Sequence, residues 1–121
     1  MAELTILHNY RCSTSRAALT AIEEAGLDVQ VVRYLDTPLL EPALLDLLDI
    51  LRDSPSDLVR RDETFTELGL SEDDVQTKEQ VAAVLAEHPK LMQRPVLIAD
   101  EVAIIGRPKD RVPAFLDEIS D

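Results

Sequence analysis

The chain has one cysteine, Cys12, in the segment His8-Asn9-Tyr10-Arg11-Cys12-Ser13-Thr14-Ser15-Arg16. A thiolate, not a thiol, is the nucleophile, so the question is whether this segment favours ionised sulfur. A strand-like run, Leu4-Thr5-Ile6-Leu7, leads in, and a helix-like run, Arg16 to Ile22, leads out. The thiol is thus expected at a strand-to-helix turn, where unpaired N–H groups and the positive end of the helix dipole favour a thiolate. Arg11 and Arg16 flank it and are expected to push the same way. An inert cysteine would more naturally sit among Val and Leu than among Arg, Ser and Thr. His8, four residues upstream, is either a hydrogen-bonded structural histidine or a group that tunes the thiol. Thr14 and Ser15 read as helix caps whose hydroxyls also reach toward the thiolate or its ligand.

Three other chemistries are excluded by count and spacing. A phosphatase loop needs Cys-x5-Arg, whereas Cys12 and Arg16 are Cys-x3-Arg. A metal site lacks ligands, because His8 and His88 are the only histidines and no second cysteine exists. A Cys-x-x-Cys redox pair is absent, since Ser15 occupies its second position.

The net charge of −12, from 24 acidic and 12 basic residues, argues against nucleic acid and anionic membranes as partners. The basic residues are nine Arg and three Lys. A guanidinium offers a planar fork suited to oxyanions, so arginines that converge on Cys12 would mark an anion site. Arg94 precedes Pro95 and must be extended. Arg107 lies between Gly106 and Pro108, where glycine permits close backbone approach. Each could instead be a solvated loop charge, and an arginine at a helix end, such as Arg60, could simply answer the helix dipole.

The elements that must position these groups follow in order. Residues 3–8 read as a buried strand, 14–25 as a helix stopped by Gly26, and 28–34 as a second strand, which together favour a parallel β-α-β unit. Leucines 44, 45, 48 and 51 repeat at helical spacing over 41–53. Short helices are expected at 56–61, capped by Ser56, and at 64–68, with a longer one at 78–87 after Thr77. Residues 95–99 and 102–105 read as an antiparallel hairpin turning at Asp100-Glu101, and 108–119 as a closing helix. The order β-α-β, helices, β-β-α is α/β: a thioredoxin-like mixed four-stranded sheet with a helical insertion, about 38–92, between strands 2 and 3. Hydrophobic content of 45% and charged content of 30% fit one globular domain over 1–121.

His8-Asn9-x-x-Cys12-Ser13-x-Ser15-Arg16 resembles the active-site signature of the glutaredoxin-coupled arsenate reductases. Leu91-Met92-Gln93-Arg94-Pro95-Val96 and Ile105-Gly106-Arg107-Pro108 resemble that family's two other marks. The likeness runs from about Leu4 to Leu116, with matching order and spacing. Tyr10 stands where the family often has proline, which places the chain nearer the arsenate-reductase-like branch. The resemblance implies that Cys12 attacks arsenate, that His8 helps hold the thiol ionised, and that Arg94 and Arg107 grip the oxyanion. It implies a third arginine near the end of the middle helices. Arg60 and Arg61 both qualify, and a one-residue deletion before Glu67-Leu68-Gly69-Leu70 puts Arg60 in register. Ser15 is grouped with the oxyanion-binding set. In thioredoxin-like folds the proline after Arg94 is cis and faces the thiol, so a cis Arg94–Pro95 bond is expected.

The expected activity is thiol-dependent reduction of arsenate or a similar oxyanion. No bound cofactor is expected. Glutathione would enter as co-substrate and glutaredoxin as partner, because the chain has no resolving cysteine. The rival is a redox-sensing regulatory module that binds RNA polymerase or another protein. Such a module would carry a Cys-x-x-Cys switch and would not need three arginines. A monomer in the cytoplasm is expected, since no basic-then-apolar segment opens the chain and no apolar run approaches about 20 residues.

Overall fold

The computed structural model describes residues 4–119. Glu3, which opens the expected first strand, lies outside them, as does the rest of each terminus. Four short strands form one sheet: β1 (Leu4–Leu7), β2 (Val29–Val32), β3 (Val96–Ala99) and β4 (Val102–Ile105), in the order β2-β1-β3-β4. β1 and β2 run parallel, with Leu7 opposite Val32, while β1–β3 and β3–β4 are antiparallel. The crossover between β1 and β2 is the helix α1 (Ser13–Glu24). It ends where Gly26 adopts a φ of 73°, a left-handed conformation that costs glycine little.

Period-two alternation divides the apolar side chains between the two faces of the sheet. Leu4, Ile6, Leu97, Ala99 and Ile104 face α1 and the last helix, α5 (Arg111–Ile119), and pack on Ala18, Ile22, Phe115 and Leu116. Leu7, Val96, Ala103 and Ile105 face the opposite way. There they meet the insertion, whose helices are α2 (Glu41–Ile50), α3 (Glu63–Glu67) and α4 (Lys78–Glu87). Leu44, Leu48, Leu58, Val81, Leu85 and Leu91 from these segments complete that second cluster. The insertion is thus the lid over one face of the sheet, and its apolar stripe exists because that face must be covered. No helix among the described residues is long and apolar enough to cross a membrane.

Three element boundaries differ from the sequence expectation by three residues, the others by at most two, and tertiary pairing explains the first two of the three. The helix expected over 56–61 is a 3-10 turn at Pro55–Leu58. Val59 then pairs antiparallel with Met92, and Arg60 N–H donates to Leu91 O at 2.7 Å, which pulls the chain into extended form. α2 stops at Ile50 and not at Asp53, because Leu51 pairs with Ala103 and Arg52 N–H donates to Ala103 O at 2.9 Å. α5 begins at Arg111, after a turn in which Arg111 and Val112 N–H donate to Pro108 O and Lys109 O. The closing helix expected from 108 is therefore three residues shorter.

Asp53 holds the insertion to the hairpin. Its Oδ2 accepts from Ile105 N–H at 3.0 Å, and its Oδ1 pairs with Arg111 at 2.9 Å. Asp53→Ala would strand the Ile105 N–H and leave Arg111 without its partner. We expect a loss of about 1–3 kcal/mol, seen as a lower urea midpoint at unchanged slope.

Candidate active site

Cys12 is the N-cap residue of α1, in extended conformation with φ −98° and ψ 123°. An N-cap side chain faces the free N–H groups of the first helical turn, and the Cys12 sulfur lies at that terminus without closing a capping hydrogen bond of ordinary geometry. The loop before it is closed by its own polar groups. Cys12 N–H donates to Asn9 O at 3.0 Å, and Arg11 N–H donates to the Asn9 side chain at 3.0 Å. His8 N–H donates to Val32 O at 2.8 Å, which continues the parallel ladder and sets where the loop departs. Arg16 N–H donates to Cys12 O at 2.9 Å, the first bond of the helix.

Partial burial pushes the Cys12 thiol up, but the opposing effects outweigh it. The backbone N–H of Ser15, the Arg94 side chain and the backbone N–H of Thr14 stabilise the thiolate and bring its pKa down from an ordinary 9.0 to about 7. Arg107 Nη2 donates to Cys12 Sγ at 3.4 Å. Two arginines from the far end of the chain therefore serve the sulfur. The nearer ones in sequence do not: Arg16 reaches back to Tyr10 O at 2.9 Å, and Arg11 lies over the Tyr10 ring, 5.4 Å from its centre. The expectation that Arg11 and Arg16 act on the thiol is corrected on this point. Their side chains extend toward solvent, where water screens them.

Arg94 and Arg107 are set by one local construction. Both Arg94–Pro95 and Arg107–Pro108 are cis. Arg107 Nε donates to Arg94 O at 2.7 Å, and Gly106 N–H donates to Pro95 O at 2.8 Å. A Cβ on Gly106 would lie 2.8 Å from Pro95 Cγ, so only glycine lets the two segments touch. Arg111 Nη1, already paired with Asp53, also contacts Arg107 O at 3.4 Å.

His8 and Ser15 lie beneath the loop, both buried. Asn9 N–H donates to Ser15 Oγ at 3.1 Å, and Ser15 Oγ and His8 Nδ1 share a hydrogen bond of 2.6 Å. Burial first, then Arg33 and Arg16, lowers the His8 pKa, so the ring stays neutral at pH 7. His8 thus sits where it orients Ser15 rather than supplying a positive charge to the thiolate. The Ser15 hydroxyl is spent on His8 and Asn9, and it is the Ser15 backbone N–H that serves the sulfur. This differs from the expected contact between that hydroxyl and the bound anion.

Arg60 pairs with Asp62 at 3.2 Å, and its charge acts on the buried Tyr34 hydroxyl, as do Arg94 and Cys12. Arg61 is committed elsewhere. It pairs with both Glu72 carboxylate oxygens at 2.8 and 2.9 Å, donates to Ser56 and Val59, and lies over Phe65. Sequence reasoning named Asn9 only within the motif, with no role, and missed Asp53 and Tyr34. The first two hold backbone groups, which no side-chain pattern reveals. Tyr34 carries no local mark in the sequence; the structure sets it just past the end of β2, beside the end of β1.

The ArsC family profile matches residues 7–115. This chain belongs to the ArsC family. The family's match spans the thiol loop, the insertion and both Arg-Pro steps. Among relatives, the arsenate reductase of Neisseria meningitidis serogroup A is 40% identical over 121 residues, covering 96% of this chain and 100% of that protein. A solved Yersinia pestis structure shares 37% identity with a TM-score of 0.81, covering 93% of this chain and 99% of that one. The arsenate reductase structure from Vibrio cholerae shares 32% identity with a TM-score of 0.79, covering 93% and 97%. The ArsC fold, a thioredoxin-like α/β sheet with its insertion, is the one expected from the order of elements.

The thiolate makes a direct prediction. Its ultraviolet absorbance should titrate with a midpoint near 7, and the alkylation rate by iodoacetamide should rise with pH and level off above that point. Arg94→Ala should move the midpoint upward, because the neutral thiol loses nothing when the cation is removed. The folded pKa is depressed, so the stability this group contributes is fully present above 9.0 and fades as pH falls through about 7. Cys12→Ser should therefore flatten the pH dependence of the unfolding midpoint over that window.

Proposed function

We propose that this ArsC-family chain is an oxidoreductase that reduces arsenate, or an oxyanion like it, through a covalent adduct on Cys12. The observation that carries this reading is the contact of Arg107 with the Cys12 sulfur at 3.4 Å, with Arg94 stabilising the same atom. Nucleophile and oxyanion-binding cations thus occupy one place. That arrangement suits attack on an anion, because the charges that ionise the thiol also neutralise the centre it attacks. The naming of relatives as arsenate reductases supports the choice of substrate.

In this mechanism the Cys12 thiolate attacks arsenic(V), an S–As bond forms, and one arsenate oxygen leaves as water after protonation. Glutathione then attacks the Cys12 sulfur. The S–As bond breaks with its electron pair passing to arsenic, which leaves as arsenite, while the two sulfurs become a mixed disulfide. Glutaredoxin clears that disulfide by thiol exchange. Arg94 and Arg107 hold the oxyanion, Arg60 flanks them, and Ser15, braced by His8, fixes the helix terminus under the sulfur. Cys12 is the chain's only cysteine, so the second thiol must come from another molecule.

Cys12→Ser should abolish arsenate reduction. Arg94→Ala and Arg107→Ala should each weaken oxyanion binding by about 1.5–3 kcal/mol while the fold survives. Multiple turnover should need glutathione together with glutaredoxin. Steady turnover with thioredoxin alone would refute the reductant assignment, and unchanged kinetics in both arginine variants would favour a regulatory module instead.

A further inference from the structure

Two buried side-chain polar groups have no hydrogen-bond partner among the described residues: the Tyr34 hydroxyl and the Arg94 Nε–H. Leaving such a group unpaired costs stability, so each calls for an explanation. Arg94 is already placed at the oxyanion. Tyr34 is not accounted for by the mechanism. It is 1% exposed, and its ring is held in the apolar cluster with Leu44, Leu85 and Met92, so the side chain cannot swing out to find water. The backbone places it at the site as well. It follows the C-terminal end of β2, beside the end of β1 from which the Cys12 loop departs.

The charges that act on this hydroxyl name its neighbourhood. Burial raises the phenol above its ordinary value. Arg94, the Asn9 side chain and Arg60 pull it down, and Cys12 pushes it up. The residues around this one oxygen are thus the thiol loop and two of the proposed oxyanion-binding arginines. The phenol remains a protonated donor at the pH where the thiolate forms. Asn9 is near enough to act on the phenol, but no hydrogen bond between the two has ordinary geometry, and the Asn9 side-chain oxygen is engaged by Arg11 N–H.

We infer that Tyr34 is an oxyanion-binding residue, donating its phenol O–H from below to the anion that Arg94 grips. This rests on the proposed oxyanion reading and adds a neutral, directional donor to its set of cations. A neutral donor of fixed position discriminates by geometry, where guanidinium forks attract any anion. Its natural acceptor is an oxygen of a tetrahedral oxyanion such as arsenate.

Tyr34→Phe keeps the buried ring and deletes only the donor. Isothermal titration of arsenate into the protein without a thiol reductant should show affinity reduced about tenfold, the loss of one good hydrogen bond to a charged acceptor. Thermal unfolding in the absence of arsenate should be unchanged or shifted upward, because an unpaired polar atom has been removed. A lower unfolding temperature with unchanged arsenate affinity would overturn the inference by showing that the hydroxyl has a structural partner. Wild-type affinity at wild-type stability would overturn it equally. If affinity and stability fall together, Leu116→Ala, on the opposite face of the sheet, is the reference. An equal loss of affinity there at equal destabilisation overturns the inference, and retained affinity there upholds it. Arg94→Ala separates the two levels of argument. Weakened binding in Arg94→Ala with normal binding in Tyr34→Phe removes Tyr34 and leaves the oxyanion reading standing. Wild-type protein that binds neither arsenate, phosphate nor sulfate removes both.

Discussion

Everything at this site depends on keeping a negative charge on a partly buried sulfur. Water would do this without help, but water would also compete for the nucleophile. The protein replaces it with fixed dipoles and cations. The first-turn N–H groups of α1 come at no further conformational cost, since the helix must leave them unpaired in any case. The arginines finish what the helix begins, and the sum brings the thiol to about 7. Near that value a substantial fraction is ionised at neutral pH, while the sulfur keeps more intrinsic nucleophilicity than a strongly acidified thiol would.

That balance holds only if the dipoles cannot rotate away. The loop from His8 to Cys12 is therefore closed by Asn9 and anchored from below by Ser15 and His8. A charged His8 beside the cations Arg33 and Arg16 would be repelled, and burial disfavours it further. The neutral ring can accept from Ser15, which a protonated ring could not. Histidine here works as a neutral hydrogen-bond partner of Ser15, and the positive charge for the sulfur comes from guanidinium groups that never deprotonate. The division keeps the cationic field constant as pH changes.

The sequence and the structure agree where one face of an element decides its form, and part where distant segments meet. The strands were legible because Val96, Ala103 and Ile105 must alternate with Leu97, Val102 and Ile104 across a sheet covered on both sides. α4 was legible from its cap and stripe, with Thr77 and Gln80 forming a reciprocal cap, and α1 from its apolar stripe and its Gly26 stop, although its N-cap is Cys12 and the expected caps Thr14 and Ser15 lie inside the helix. The extended stretch at Val59-Arg60 was not, because its form is set by Met92 and Leu91, more than thirty residues away in the chain. The same limit applies at the site. Cys12, Arg94 and Arg107 stand out by type and by their Pro and Gly neighbours. The roles of Arg11 and Arg16 were misread because adjacency in sequence is not adjacency in space, and both side chains turn outward from the helix start. Tyr34 carries no local mark at all, since its role depends on a hydroxyl that only the packed sheet brings under the thiol loop.

A chain with net charge −12 is an unlikely host for an anion if charge is counted over the whole molecule. Counted by distance, the difficulty disappears. At physiological ionic strength the field of a surface carboxylate decays over about 8 Å, so most of the acidic surface is screened from the site. Arg107, within contact distance of the sulfur, is not screened in this way, because no solvent layer separates it from the thiolate. Arg107 is oriented by Arg94 O, by the Gly106–Pro95 contact and by Arg111, and each of these is an uncharged or already paired neighbour. Its positive charge is therefore left for the ligand. Arg61 and Arg52 show the alternative, since both are neutralised by Glu72 and Glu118 at the surface. What sets Arg107 apart is that a backbone carbonyl, rather than a carboxylate, holds it in place. A carbonyl orients a guanidinium without cancelling its charge, and that difference lets an acidic protein keep a cationic centre.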